Sequence, residues 1–194
     1  MEEIRERYKK GGQIYQEQEL KTYSVNDVKG LVCGHTLMRK CCGKICAVKC
    51  CGDEFPIDDL VKPKCPNPHQ WRIKKSIREK VAKQLVEKKI FKKHYNNFEE
   101  LYDEIKQIAS GQLFRYDIAK RIGHCIGIAP KDYVYLQCGA KDGAKVLRDK
   151  KAILLPSRIS FRVKKSVFDD AFPNMESIDI ENLLCIHKKE FEKL

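Results

Sequence analysis

Seven of the ten cysteines fall between Cys33 and Cys65: Cys33, Cys41, Cys42, Cys46, Cys50, Cys51 and Cys65. Thiols this close, with His35 and His69 among them, are the material of a tetrahedral zinc site, which takes four sulfur or imidazole ligands as two close pairs. The downstream pair is Cys65 and His69, held in the Pro-rigid run Cys65-Pro-Asn-Pro-His69 just ahead of a helix. A helix N-terminus there favours the thiolate. The upstream pair is Cys33 and Cys42, each followed by a glycine that lets backbone amides turn back toward sulfur. His35, Cys41, Cys46, Cys50 and Cys51 stay in competition for those two places, and a second ion has ligands enough. The alternative is a set of buried free thiols. Cys125, Cys138 and Cys185 stand singly among apolar neighbours and read as small core hydrophobes.

Basic residues supply the second chemistry. Of a net charge of +12, residues 70–95 alone hold ten Lys and Arg against two Glu, and residues 139–165 hold nine against two Asp. Lysine and arginine neutralise phosphates and release counterions, which gives sequence-independent affinity for nucleic acid and a steep salt dependence. Lys74, Lys75, Arg78, Lys88, Lys89, Lys92 and Lys93 are the candidates in the first block. Lys141, Lys145, Arg148, Lys150 and Lys151 are those in the second, where Gly139 and Gly143 suggest a loop able to turn amides toward a phosphate. The competing reading is a solvated face that keeps the protein soluble.

The order Cys-Gly, β-hairpin, then Cys65 and His69 entering a helix resembles a treble-clef zinc finger over residues 33–90. It departs from that family in having no C-x-x-C knuckle. Helix, short glycine-containing turn and helix over residues 98–126 resemble a helix-hairpin-helix DNA-binding element, with Gly111 where the family has G-x-G. That resemblance implies a turn holding a DNA phosphate, and it favours DNA over RNA. The alternative is an ordinary αα-hairpin. Enzymes of that family carry a catalytic Asp, and Asp117 follows the turn too closely to be equated with it.

No reaction is written in the remaining residues. His124-Cys125 lies on a helix where neighbouring residues face different ways. Asp58-Asp59 and Asp169-Asp170 are ordinary turn and cap acids, and neither a P-D-x-E-x-K nor an H-N-H arrangement occurs. The expected function is therefore zinc-containing nucleic-acid binding. Alternatives are a nucleic-acid-processing enzyme, such as a glycosylase or nuclease, and a zinc-stabilised protein-interaction module.

The elements that must position these residues follow from the hydrophobic period. Ile73, Ile77, Val81 and Leu85 recur every four residues and mark a basic amphipathic helix. Asn97 with Glu100 opens another helix through Phe98, Leu101, Tyr102 and Ile105. Helices over 115–126 and 180–191, and a strand or buried turn at 133–136, complete the second half. In the first half, 1–30 is charged and weakly patterned, with a first helix through Tyr15 and a break at Gly11-Gly12, and 45–51 reads as a strand returning over 54–61 through a turn at Gly52-Asp53. At 194 residues and 42 % apolar composition, this gives an α+β chain. A zinc-stabilised β-hairpin module occupies residues 1–69 and a mainly helical basic domain residues 70–194. The start, MEEIRERYKK, has no signal-like apolar run, and no segment reaches membrane-span length, so a reducing intracellular compartment is expected and a membrane partner is not.

Overall fold

Local sequence sets most helix boundaries. The computed structural model describes residues 1–41, 44–47, 60–64 and 72–194, with backbone alone between 36 and 64. The helices are α1 (Glu2–Tyr8), α2 (Ile14–Lys21), α3 (Val28–Cys33), α4 (Lys75–Glu87), α5 (Phe98–Lys106), α6 (Gln112–Cys125), α7 (Cys138–Asp149), α8 (Ser177–Ile186) and α9 (Lys188–Phe191). The strands are β1 (Thr36–Cys41), β2 (Lys44–Ala47), β3 (Leu60–Lys64), β4 (Tyr133–Tyr135) and β5 (Arg162–Lys164). The chain divides into two compact units, one of Tyr15–Ala129 and one of Met1–Ile14 with Pro130–Leu194.

In the Tyr15–Ala129 unit, the Asp27 carboxylate accepts from the Gly30 amide and so caps α3. The Asn97 side chain accepts from the Glu100 amide at 2.9 Å and caps α5, while the Glu100 carboxylate reaches back to the Asn96 amide at 2.8 Å. Phe98, Leu101, Tyr102 and Ile105 of α5 are buried, as are Phe114, Tyr116, Ile118, Ala119 and Ile122 of α6, so the two pair as an αα-hairpin. From α4, Val81 and Leu85 are buried.

The other unit gathers Val134, Leu147, Val163, Phe168, Phe172, Ile180, Leu183, Leu184 and Phe191 in one core, together with Ile4 and Tyr8 of α1. The Tyr8 hydroxyl donates to the buried Asp179 carboxylate at 2.9 Å, satisfying both groups. Packing of α7 on α8 depends on glycine: a Cβ on Gly143 would stand 2.2 Å from the Leu184 carbonyl oxygen, and one on Gly139 2.6 Å from Cys185 Sγ.

The expected α+β class built on a zinc-stabilised hairpin module is corrected. Outside residues 36–71 the chain is 59 % helix and 4 % strand, and helices α1 to α3 occupy most of the first 33 residues. The strand pairing also differs from the expectation. The sheet order is β2-β1-β3, both pairs antiparallel; of the expected returning strand 54–61 only Leu60 and Val61 are among the described residues, and they lie in β3 beside β1. The expected turn at Gly52-Asp53, and the boundary at 69/70, lie outside the described residues. Gly11 and Gly12 do not break the first helix but sit in a π-helical turn, Lys9–Gln13. Gly139 and Gly143 lie within α7 as contact points for α8, not in a loop. No helix of the described residues is long and apolar enough to cross a membrane.

Candidate nucleic-acid interface

Both basic blocks end a helix in the same way. Lys88 closes α4 at φ −80°, ψ 0°, and Lys89 follows in the left-handed region at φ 52°. Lys150 closes α7 at φ −80°, ψ 0°, and Lys151 follows at φ 59°. After α7, the Lys151 amide donates to the Arg148 carbonyl and the Ala152 amide to the Leu147 carbonyl, each at 2.9 Å, the Schellman arrangement. After α4, the Lys89 amide donates to the Val86 carbonyl at 3.0 Å. Glycine is the residue this left-handed place favours, and a lysine there costs about 1–2 kcal/mol. The sequence thus accepts a local penalty twice to set a lysine at the tip of a basic helix.

The backbone at the α4 exit is anchored by apolar side chains. Ile90 is fully buried within the short 3-10 turn Ile90–Lys92, and the buried Tyr95 donates its hydroxyl to the Ile90 carbonyl at 3.3 Å. Lys88, Lys89, Lys92 and Lys93 are exposed around that anchor. Lys93 pairs with Glu104 of α5 at 2.7 Å. Among the described residues, Lys88, Lys89 and Lys92 have no carboxylate within ion-pair distance, so their charge is open to a ligand.

At the other end of α4, Lys74 and Lys75 are exposed beside the helix start, with no acid in the first turn and no side-chain cap from Lys74. Cations at a helix N-terminus oppose its dipole, an arrangement that an anion relieves. Arg78 is engaged locally, its guanidinium donating to the Ile73 carbonyl at 2.9 Å.

In the second block, Lys150 and Lys151 are exposed, and Lys145 stands 3.5 Å from Asp142. Arg148 spends its guanidinium on Asp149 at 2.7 Å and on the carbonyls of Ser157 and Pro156. It acts there as a tie between α7 and the following loop. Lys141 is half-buried on the first turns of α7. The two blocks belong to different units.

Of the expected zinc ligands, Cys42, Cys65 and His69 lie outside the described residues. Cys33 is buried at the C-terminal end of α3, which Gly34 closes at φ 69°. His35 is occupied on both sides: Nδ1 is 2.8 Å from Thr22 Oγ1 and Nε2 is 3.4 Å from Asp27 Oδ2. Its ring stacks on Tyr23 at 4.8 Å, and burial, opposed by Asp27, pushes the imidazole pKa down. Gly30 makes that arrangement possible, because a Cβ there would fall 2.3 Å from Asp27 Oδ2 and 2.5 Å from His35 Nε2. Among the described residues, no group of three or more His, Cys, Asp or Glu side chains is arranged to hold a metal ion.

Asp117 is buried and faces Arg121 at 3.8 Å, a structural pairing and not an acid poised in a cleft. Burial pushes the Cys125 thiol up, away from the thiolate a nucleophile needs. Comparison with protein-family models, with curated proteins and with solved structures finds no match to the chain.

Proposed function

We propose that the chain binds nucleic acid, DNA in preference to RNA, through phosphate contacts from its two basic helix exits. The observation that carries this reading is that Lys88, Lys89 and Lys92 are exposed, have no carboxylate within ion-pair distance among the described residues, and lie on a backbone anchored by the buried Ile90. Lysines that only kept the protein soluble would need no rigid base and no left-handed residue. Lys74, Lys75 and Lys93 add to the positive field of that unit, and Lys141, Lys145, Lys150 and Lys151 supply one in the other unit. Preference for DNA rests on the α5–α6 hairpin, whose helix, Gly111 turn and helix resemble the helix-hairpin-helix element. Gly111 stands at φ 83° with nothing within 4 Å of a Cβ placed on it. That leaves the turn open to a close approach by a backbone.

Zinc belongs to this proposal as a structural ion on Cys33, Cys42, Cys65 and His69. Its support is the ligand chemistry and spacing in the sequence.

The test is fluorescence anisotropy with labelled duplex DNA and duplex RNA of one sequence. Reversing Lys88, Lys89 and Lys92 to glutamate together weakens binding to both at least tenfold and flattens the salt dependence. Unchanged affinity in that triple variant sinks the reading.

A further inference from the structure

The two-stranded ribbon of β4 and β5 joins residues that the sequence keeps about thirty positions apart. Its antiparallel register sets Tyr133 opposite Lys164, Val134 opposite Val163 and Tyr135 opposite Arg162. Val134 and Val163 are buried in the core of their unit. Alternation along a strand therefore turns Tyr133, Tyr135, Arg162 and Lys164 to the other face, where Tyr135 is fully buried beside Phe161. Arg162 and Lys164 are exposed there, Tyr133 is half-buried, and the Arg162 guanidinium lies 5.8 Å from the Tyr133 ring centroid.

At the end of this ribbon is a groove of about 370 Å³ lined by Lys131, Asp132, Tyr133, Lys164, Lys165 and Ser166. Its walls are pinned by backbone bonds. The Lys165 amide donates to the Asp132 carbonyl at 2.8 Å, and Ser177 Oγ donates to the Lys131 carbonyl at 2.8 Å. Three lysines line the groove against the single acid Asp132, and the Lys165 ammonium is paired with Asp169 at 2.8 Å. The groove is thus net positive, with the hydroxyl residue Ser166 and the aromatic residue Tyr133 in its lining. A phosphate matches the first two features and a base the third.

We propose that this ribbon and groove form a nucleotide site for single-stranded nucleic acid. Lys131, Lys164 and Lys165 hold a backbone phosphate, and an unpaired base stacks on the Tyr133–Arg162 pair. A duplex keeps its bases stacked on each other and offers this site only phosphates, so the site prefers a single strand. The proposal rests on the nucleic-acid reading and adds to it a strand preference and a second binding element.

The experiment compares a labelled single-stranded 12-mer of DNA with its duplex, using the full chain and its Tyr133→Ala, Tyr133→Phe and Lys164→Glu variants. The full chain binds the single strand more tightly than the duplex. Tyr133→Ala weakens single-strand binding about 5- to 100-fold, the range of one lost base stack, and leaves duplex binding within twofold. Tyr133→Phe restores the single-strand affinity, and the exposed Lys164→Glu lowers it with no change in fold. Single-strand affinity unmoved by both Tyr133→Ala and Lys164→Glu overturns the proposal. If the Lys88, Lys89 and Lys92 reversal still abolishes duplex binding in that case, the broader reading stands. Failure of the full chain to bind either probe at low salt removes both.

Discussion

The guanidinium of Arg121 lies over the ring of Tyr23, 5.4 Å from its centroid, and donates to the Leu31 carbonyl at 3.2 Å. Although burial works against its charge, Tyr23, Asp117 and Glu19 hold Arg121 protonated. In a protein this basic, Arg121 is a cation kept for the interior, where it joins α6 to the end of α3. Arg121→Met removes the cation that faces the buried Asp117 carboxylate and the donor to the Leu31 carbonyl. It lowers the unfolding free energy by about 3 kcal/mol in a urea titration. Nucleic-acid affinity of the folded variant stays within twofold, because the side chain never reaches the surface.

Gly143 decides how closely α7 approaches α8. In an isolated helix, alanine would be favoured over glycine by about 1 kcal/mol. Here its Cβ meets a backbone carbonyl, Leu184, which cannot swing aside as a side chain can. Gly143→Ala therefore destabilises by about 1–3 kcal/mol, seen as a lower Tm. An unchanged or raised Tm contradicts the packing described for these helices.

Lys89 and Lys151 offer a test that separates stability from binding. Glycine relieves the left-handed strain at each position, so Lys89→Gly and Lys151→Gly raise the unfolding free energy by about 0.5–1 kcal/mol. Each also removes one phosphate contact, and the slope of log affinity against log salt shallows by about 0.9 per variant. Gain in stability with loss of affinity is the pattern expected of residues kept for function. A variant that loses stability, or binds as tightly as before, removes the argument built on these two lysines.

Zinc is tested by elemental analysis of protein purified without chelator. One zinc per chain is expected, lost in Cys65→Ser and in His69→Ala, and lost with folding of the Tyr15–Ala129 unit when a chelator is added. Metal-free wild-type protein with an intact unfolding transition overturns the assignment of Cys33, Cys42, Cys65 and His69.

Some of this was legible in the sequence because the signals are local. Asn97 and Glu100 mark the start of α5 within four residues, and of the apolar repeat expected for α4 Val81 and Leu85 are buried, whereas Ile77 is exposed and Ile73 precedes the helix. Where the partner is distant, the reading failed. Gly139 and Gly143 read as loop punctuation, since a glycine that admits a neighbouring backbone looks the same as one that allows a turn. Leu184, forty-one positions away, decides between them. The face shared by Tyr133, Arg162 and Lys164 depends on the β4–β5 register, and that pairing leaves no trace in either segment alone. The net charge of residues 139–165 was the one signal that pointed there. That charge is shared between Lys141, Lys145, Arg148, Lys150 and Lys151 on one side and Arg162, Lys164 and Lys165 on the other, and composition does not separate the two groups.

Under the proposed function, exposed lysines at the ends of α4 and α7 bind a nucleic-acid backbone. The most direct measurement is the affinity of the full chain for one labelled DNA across a salt series starting near about 50 mM, plotted as log affinity against log salt. With four or more phosphates neutralised, the plot is linear with a slope of about −3 or steeper. No binding at the lowest salt, or an affinity that does not fall as salt rises, contradicts the account.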